Sequence, residues 1–208
     1  MHEEILSNQQ KKLLPLIEKF SVNFGLVGGT AVASQIGHRR SIDFDLATLK
    51  SLNSQKIKET IRDGDKIEAL LIDEVNEVTL VVSGVKLTFF KYPFSIDFSE
   101  KFADSISMPN LPTLAAMKAF ALGRRAKWKD YVDLYFIFKK YSLEEIVEKA
   151  RHLFKKEFNE KLFREQLAYF EDIDFSEKID YMEAFRVDDE NIKKSLRQIS
   201  LQKCSKKS

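Results

Sequence analysis

Two adjacent glycines followed by an Asp-x-Asp element constrain this chain more than any other feature. They lie in residues 24–46, FGLVGGTAVASQIGHRRSIDFDL, with Asp43 fourteen positions after Gly29. Phe24–Val27 predicts a short buried strand closed by Gly28-Gly29. Thr30–Ile36 predicts a helix of small residues with Gly37 as its C-cap. Ser41–Ala47 sets Ile42, Phe44 and Leu46 against Asp43 and Asp45, the period-2 pattern of a strand. Residues two apart on a strand share a face, roughly 6–7 Å apart at Cα, so the pattern predicts neighbouring carboxylates. Such a pair can hold a hard cation such as Mg²⁺, or Mn²⁺, together with substrate phosphates. Without a Cβ at the glycines, backbone N–H groups can approach a phosphate, and the helix N-terminus favours its charge.

The rest of the chain divides near residue 109. Before it, residues 3–20 predict an amphipathic helix containing Pro15, and 54–62 a second helix ending at Asp63-Gly64-Asp65. Residues 66–72, 77–82 and 85–91 predict strands, the last two joined by a Ser83-Gly84 hairpin turn. After Pro109 and Pro112 nearly everything has helical period: residues 113–126, 128–140, 143–154, 158–170 and 191–202. Ser142 and Glu145 form a capping-box pattern. The expected architecture is a mixed α/β domain over 1–109 and a helical domain over 110–208. Trp128 and Phe136, Phe138, Phe154, Phe158, Phe163 and Phe170 stand at helical spacing and are expected in the core.

Composition narrows the setting. The chain of 208 residues is 44% hydrophobic, enough to build a core. Its 34 basic and 32 acidic residues leave +2, so contact with nucleic acid must be local. One cysteine, Cys204, rules out an internal disulfide and suits a reducing compartment. No apolar run approaches the ~18–20 residues that span a bilayer, and the first residues carry acids where a signal peptide needs positive charge. A cytosolic setting without membrane contact is expected. The tail QKCSKKS reads as a solvated basic end.

A second block, LAAMKAFALGRRAKWKDYVDL, carries charge of one sign. Residues 113–129 hold five basic residues and no acid: Lys118, Arg124, Arg125, Lys127 and Lys129. They can neutralise triphosphate or RNA backbone charge, or form a solvated helix face. Lys118 sits among apolar neighbours and either snorkels or points into a site. Asp130 can complement the dipole of the following helix, with Asp133 on much the same face. His38 reads as loop surface, with an acid–base role as the minor alternative.

Glycine pair, short helix and then Asp-x-Asp on the next strand resemble the nucleotidyltransferase superfamily typified by DNA polymerase beta. The fuller pattern is Gly28, Gly29, Thr30 and Ala31, then His38, Arg39, Ser41, Asp43 and Asp45. It is similar to the AbiEii/AbiGii toxin family of abortive-infection and type IV toxin–antitoxin systems, and Lys118 and Asp130 match that family's later basic and acidic positions. The resemblance implies an α+β fold, a nucleotidyltransferase-like mixed sheet with flanking helices, followed by a helical bundle that completes the cleft. It implies transfer of NMP from an NTP to a macromolecular acceptor, a tRNA 3′ end or a protein, with Mg²⁺ as cofactor and a cognate antitoxin as partner. It assigns the metal to Asp43 and Asp45, nucleotide contacts to Gly28, Gly29, Thr30, Arg39, Ser41 and Lys118, and catalytic roles to Asp43, Asp45, Lys118 and Asp130. One departure is visible. The strand expected to bear a third carboxylate holds Thr88, and no acid lies between Glu77 and Asp97. Either Asp130 supplies that acid or the protein binds nucleotide without turnover. A small-molecule acceptor, as in antibiotic-modifying relatives of the fold, is the other alternative.

Overall fold

Alternating apolar residues build one mixed sheet in the first half of the chain. The computed structural model describes residues 1–122 and 124–202; Cys204 and its basic tail lie outside them. The chain divides into two compact units, Met1–Asn110 and Leu111–Ser208. Among the described residues no helix is long and apolar enough to cross a membrane.

The first unit runs α1 (Asn8–Glu18), β1 (Gly25–Val27), α2 (Gly28–Ile36), β2 (Phe44–Thr48), α3 (Ser54–Arg62), β3 (Ile67–Glu74), β4 (Glu77–Val82), β5 (Val85–Lys91), β6 (Glu100–Phe102) and β7 (Ile106–Met108). Five strands form a sheet of order β1-β2-β5-β4-β3, with β2 and β5 parallel and the other pairs antiparallel. The fold is therefore α+β with a mixed sheet. Register puts Leu46 beside Phe89 and Val78, and Phe44 beside Leu87 and Leu80; all six are fully buried on one face. Each such side chain contributes about 1.5–3 kcal/mol through burial. Phe20 and Phe24 close this layer, their rings 4.7 and 5.3 Å from that of Phe89. The opposite face carries Asp45, Thr88 and Thr79 side by side.

Several boundaries differ from expectation for local reasons. Residues 3–20 are not one helix: a 3₁₀ turn at Glu3–Ile5 precedes α1, which starts where Ser7 and Gln10 form a capping box. Pro15 lies inside α1, whose Leu13, Leu16 and Ile17 are buried. Strand β2 begins at Phe44, so Asp43 precedes it, and Ile42, which the alternation groups with Phe44 and Leu46, is 70% exposed. The Ser83-Gly84 turn forms as expected, with φ of +50° and +72°, the signs a type I′ turn requires. The β6–β7 hairpin has no counterpart in the expected strands, because elements of three residues are too short to show a period.

The second unit contains α4 (Leu111–Leu122), α5 (Trp128–Ile137), α6 (Leu143–Phe154), α7 (Glu160–Ala168) and α8 (Asp189–Ser200). Helix α4 ends earlier than its period suggests, and residues 124–126 are not helical. The Ser142–Glu145 capping box opens α6, and Asn159 caps α7 through the Leu162 N–H. Trp128, Phe154 and Phe163 are core residues, whereas Phe136, Phe138, Phe158 and Phe170 are only half-buried. The irregular segment between α7 and α8 is tied to the start of α5. Trp128 N–H donates to the Asp174 carbonyl, Asp174 N–H donates to the Ala126 carbonyl, and Lys127 and Lys129 both grip Glu177 at 2.8 and 2.5 Å.

Partial burial raises the Glu177 pKa, but the hydrogen bonds and charges of Lys127 and Lys129 outweigh it and hold the value at about 2. A depressed carboxylate stabilises the fold above its ordinary pKa and stops doing so as pH falls through the folded value. The melting temperature of the wild type should therefore fall more steeply between pH 4.5 and 2 than that of Glu177→Gln. Parallel pH profiles would show that this tether contributes nothing.

Candidate active site

Strand β1 runs directly into α2, and the junction is built from the glycine pair. Gly28 has φ +70°, a left-handed conformation that side-chain-bearing residues rarely adopt. A Cβ at Gly28 would stand 2.1 Å from Asp45 Oδ2. The Asp45 carboxylate thus packs directly on the backbone that opens α2. Gly29 has the same relation to two other predicted residues: a Cβ there would lie 2.8 Å from Arg39 Nη2 and 3.3 Å from Ser41 Oγ. Thr30 is buried, with Oγ1 2.9 Å from Ser41 Oγ and hydrogen-bonded to the Asp43 carbonyl. Gly28, Gly29, Thr30, Arg39, Ser41, Asp43 and Asp45 are therefore gathered around one strand–helix junction. Within it Thr30 acts as a brace between α2 and the chain entering β2.

The loop before β2 is more buried than a loop usually is. Arg39 is 4% exposed and donates from Nη1 to the Arg40 carbonyl at 3.0 Å. His38 is fully buried, which corrects its reading as polar surface. Asp43 is half-exposed and its Oδ2 is 2.8 Å from Lys86 Nζ. Sequence reasoning did not single out Lys86. It sits two residues before Thr88 on β5 and therefore shares its face of the strand.

Strand register puts a threonine where a third carboxylate is common in the superfamily. Thr88 pairs with Asp45, and Thr79 pairs with Thr88. Their hydroxyls are 3.4 Å apart, and Thr79 donates to Glu77 Oε1 at 3.1 Å. The first acid met along this face away from Asp45 is therefore Glu77, beyond two threonines. Among the described residues no three His, Cys, Asp or Glu side chains cluster as a metal site. Asp43 and Asp45 still offer hard oxygen donors, and Mg²⁺ is commonly held by one or two carboxylates with phosphates and water completing its shell. The donor chemistry fits a divalent cation that arrives with its nucleotide.

The second unit holds a separate charged assembly. Lys118 Nζ lies 2.6 Å from Asp130 Oδ1 and 2.6 Å from Asp133 Oδ2, with side-chain exposures of 6%, 0% and 0%. Arg125 Nε reaches Asp130 Oδ2 at 3.2 Å from the surface. Burial raises the Asp130 pKa, but the charges of Lys118 and Arg125 outweigh it and keep the carboxyl ionised below its ordinary range. Two anions and two cations balance, which is what allows charges to persist without water. The basic run of residues 113–129 is consequently not an open cationic face. Lys118, Arg125, Lys127 and Lys129 are all engaged by acids, and Arg124 lies 3.7 Å over the Phe120 ring.

The junction makes one substitution decisive. Gly28→Ala should destabilise the protein by roughly 1–3 kcal/mol through the forced φ alone and displace the Asp45 carboxylate. Chemical denaturation checks the first effect. A variant as stable as wild type would show that the close approach is not required.

The family model described as the AbiEii nucleotidyl transferase toxin of type IV toxin–antitoxin systems matches residues 17–201. Uncharacterized protein aq_aa25 of Aquifex aeolicus (strain VF5) is 30% identical over 178 residues, covering 80% of this chain and 84% of that protein. In structure, the chain resembles MenT4, a nucleotidyltransferase toxin from Mycobacterium tuberculosis H37Rv, with TM-score 0.56 and 13% identity over 93% of this chain and 82% of that one. JHP933 from Helicobacter pylori gives TM-score 0.48 and 20% identity over 78% and 74%. The family match takes in the glycine junction, the Asp-x-Asp element and the buried lysine cluster together, and the chain accordingly belongs to the AbiEii nucleotidyltransferase toxin family.

Proposed function

We propose that the protein transfers NMP from an NTP to a hydroxyl of a macromolecular acceptor, a tRNA or a protein, using Asp43 and Asp45 with Mg²⁺. The observation that carries this reading is the packing of the Asp45 carboxylate on the Gly28 backbone, with Asp43 two residues earlier in the chain. It puts cation-binding oxygens next to backbone amides of Gly28, Gly29 and Thr30 at a helix N-terminus, where a triphosphate is favoured. The metal, when bound by Asp43 and Asp45, supplies charge neutralisation for the triphosphate. Arg39 and Ser41 line Gly29 and orient the phosphates there. Lys86 holds Asp43 until the nucleotide arrives.

In the transfer, the acceptor oxygen forms a bond to the α-phosphorus and the bond from that phosphorus to its bridging oxygen breaks. Pyrophosphate leaves with the bonding electrons. The acceptor proton passes to a carboxylate. Asp130 is buried in its own cluster with Lys118 and Arg125, so in this proposal the role falls to the half-exposed Asp43 or Asp45. Alignment and electrostatic stabilisation supply most of the acceleration in such reactions. The family's type IV toxin–antitoxin character supports growth arrest as the outcome and a cognate antitoxin as the partner.

The test is transfer of label from an α-labelled NTP to cellular RNA or protein. Asp43→Asn and Asp45→Asn should each lower transfer by at least about 100-fold while the fold is kept. Lys118→Ala leaves two buried carboxylates without their ammonium and should cost about 3–5 kcal/mol in a denaturation curve. Full transfer by the Asp43→Asn, Asp45→Asn double variant would refute the assignment.

A further inference from the structure

In the basic run of residues 113–129 four of the five cations are paired with acids, so a less engaged cationic surface is sought elsewhere. The first unit contains it. A cleft of about 210 Å³ lies where β2 ends at Thr48, lined by Phe20 and Phe24 and by Lys19, Lys50 and Lys56. No acidic side chain is among its lining residues. Lys19 is paired with Asp63 at 3.3 Å, and Lys50 Nζ donates to the Asn23 amide oxygen at 3.1 Å. Among the described residues neither Lys50 nor Lys56 makes an ion pair.

This cleft is not the carboxylate site. Thr48 is three residues beyond Asp45, about 10 Å along the strand at 3.3 Å per residue. The side-chain alternation that turns Asp45 toward Gly28 turns Phe44, Leu46 and Thr48 to the other face of the sheet. That face is the one covered by Phe20 and Phe24. Phe20 is buried, while Phe24 is half-buried and lines the cleft.

An aromatic surface ringed by lysines, two of them without an ion pair, matches the way single-stranded nucleic acids are held: a base stacks on the ring and phosphates meet the ammonium groups. We infer that this cleft binds a nucleotide unit through its base and phosphate, either as a free nucleotide or as part of a single-stranded chain, at a place distinct from Asp43 and Asp45. A neutral or cationic ligand gains nothing from the charges of Lys50 and Lys56, and a duplex cannot present an unstacked base to Phe24.

The experiment measures binding rather than transfer, so it stands or falls separately from the transferase reading. Fluorescence anisotropy with a labelled single-stranded (rU)₁₀ compares wild type with Lys50→Glu, Lys56→Glu and with Phe24→Leu, which keeps an apolar filling but removes the aromatic face. Lys11→Glu, Lys12→Glu on the exposed side of α1 makes the same change in net charge away from the cleft. The cleft variants should each lose about tenfold or more in affinity. The lysine pair should also lower the salt slope by roughly 1.4, at about 0.7 for each phosphate no longer neutralised. The α1 control should keep its affinity. Calorimetry with ATP separates the two sources. A second ATP site that disappears in the lysine variant identifies free nucleotide, and weakening confined to (rU)₁₀ identifies a chain. Wild-type affinity for both ligands in either cleft variant, or an equal weakening in the α1 control, overturns the inference.

Discussion

The contact between the Gly28 backbone and the Asp45 carboxylate is the constraint on which the candidate site depends. A strand that turns at once into a helix leaves no loop to separate helix N-terminus from sheet. The first helical residue must then pass beside whatever the neighbouring strand presents. Here β2 presents a carboxylate, and only a residue without a Cβ, at φ +70°, fits beside it. The second glycine repeats the arrangement with Arg39 and Ser41, and the Thr30 brace keeps the chain entering β2 in place. An anionic group beside amide donors is a poor resting arrangement for binding a bare phosphate and a good one for binding a phosphate that brings a cation.

The two charged assemblies answer different physical demands. Asp43 and Asp45 stay partly accessible, with one lysine near Asp43, so their oxygens can exchange partners at modest cost. Lys118, Asp130 and Asp133 are sealed, and their mutual neutralisation is what makes the burial tolerable. Removing one member of the first set subtracts a ligand, whereas removing one member of the second leaves an uncompensated charge in the interior. The same logic governs the basic run around α5, whose positive charge is answered by Asp130, Asp133 and the distant Glu177.

How much of this was legible in the sequence depended on the range of the interaction. The strand–glycine–helix junction, the Gly37 cap, the Ser83-Gly84 hairpin and the Ser142 capping box are written in adjacent residues and could be read there. The resemblance singles out Thr88 on the neighbouring strand, and the register pairs it with Asp45. Asp43 lies outside the strand it was expected to join and Ile42 is exposed, which alternation alone does not reveal. The burial of His38 and Arg39 and the capture of Lys127 and Lys129 by Glu177 depend on chain brought from far away. So does the lysine-rimmed cleft, whose cations come from the end of α1, the chain after β2, and α3. A run of basic residues looks like a binding face until its acids, 48 to 50 residues off, are known.

The most direct measurement is a crystal structure of the protein with a non-hydrolysable NTP analogue and Mg²⁺. The account predicts the cation on Asp43 and Asp45 and the triphosphate against the amides of Gly28, Gly29 and Thr30. A nucleotide bound elsewhere, with that junction left empty, would contradict it.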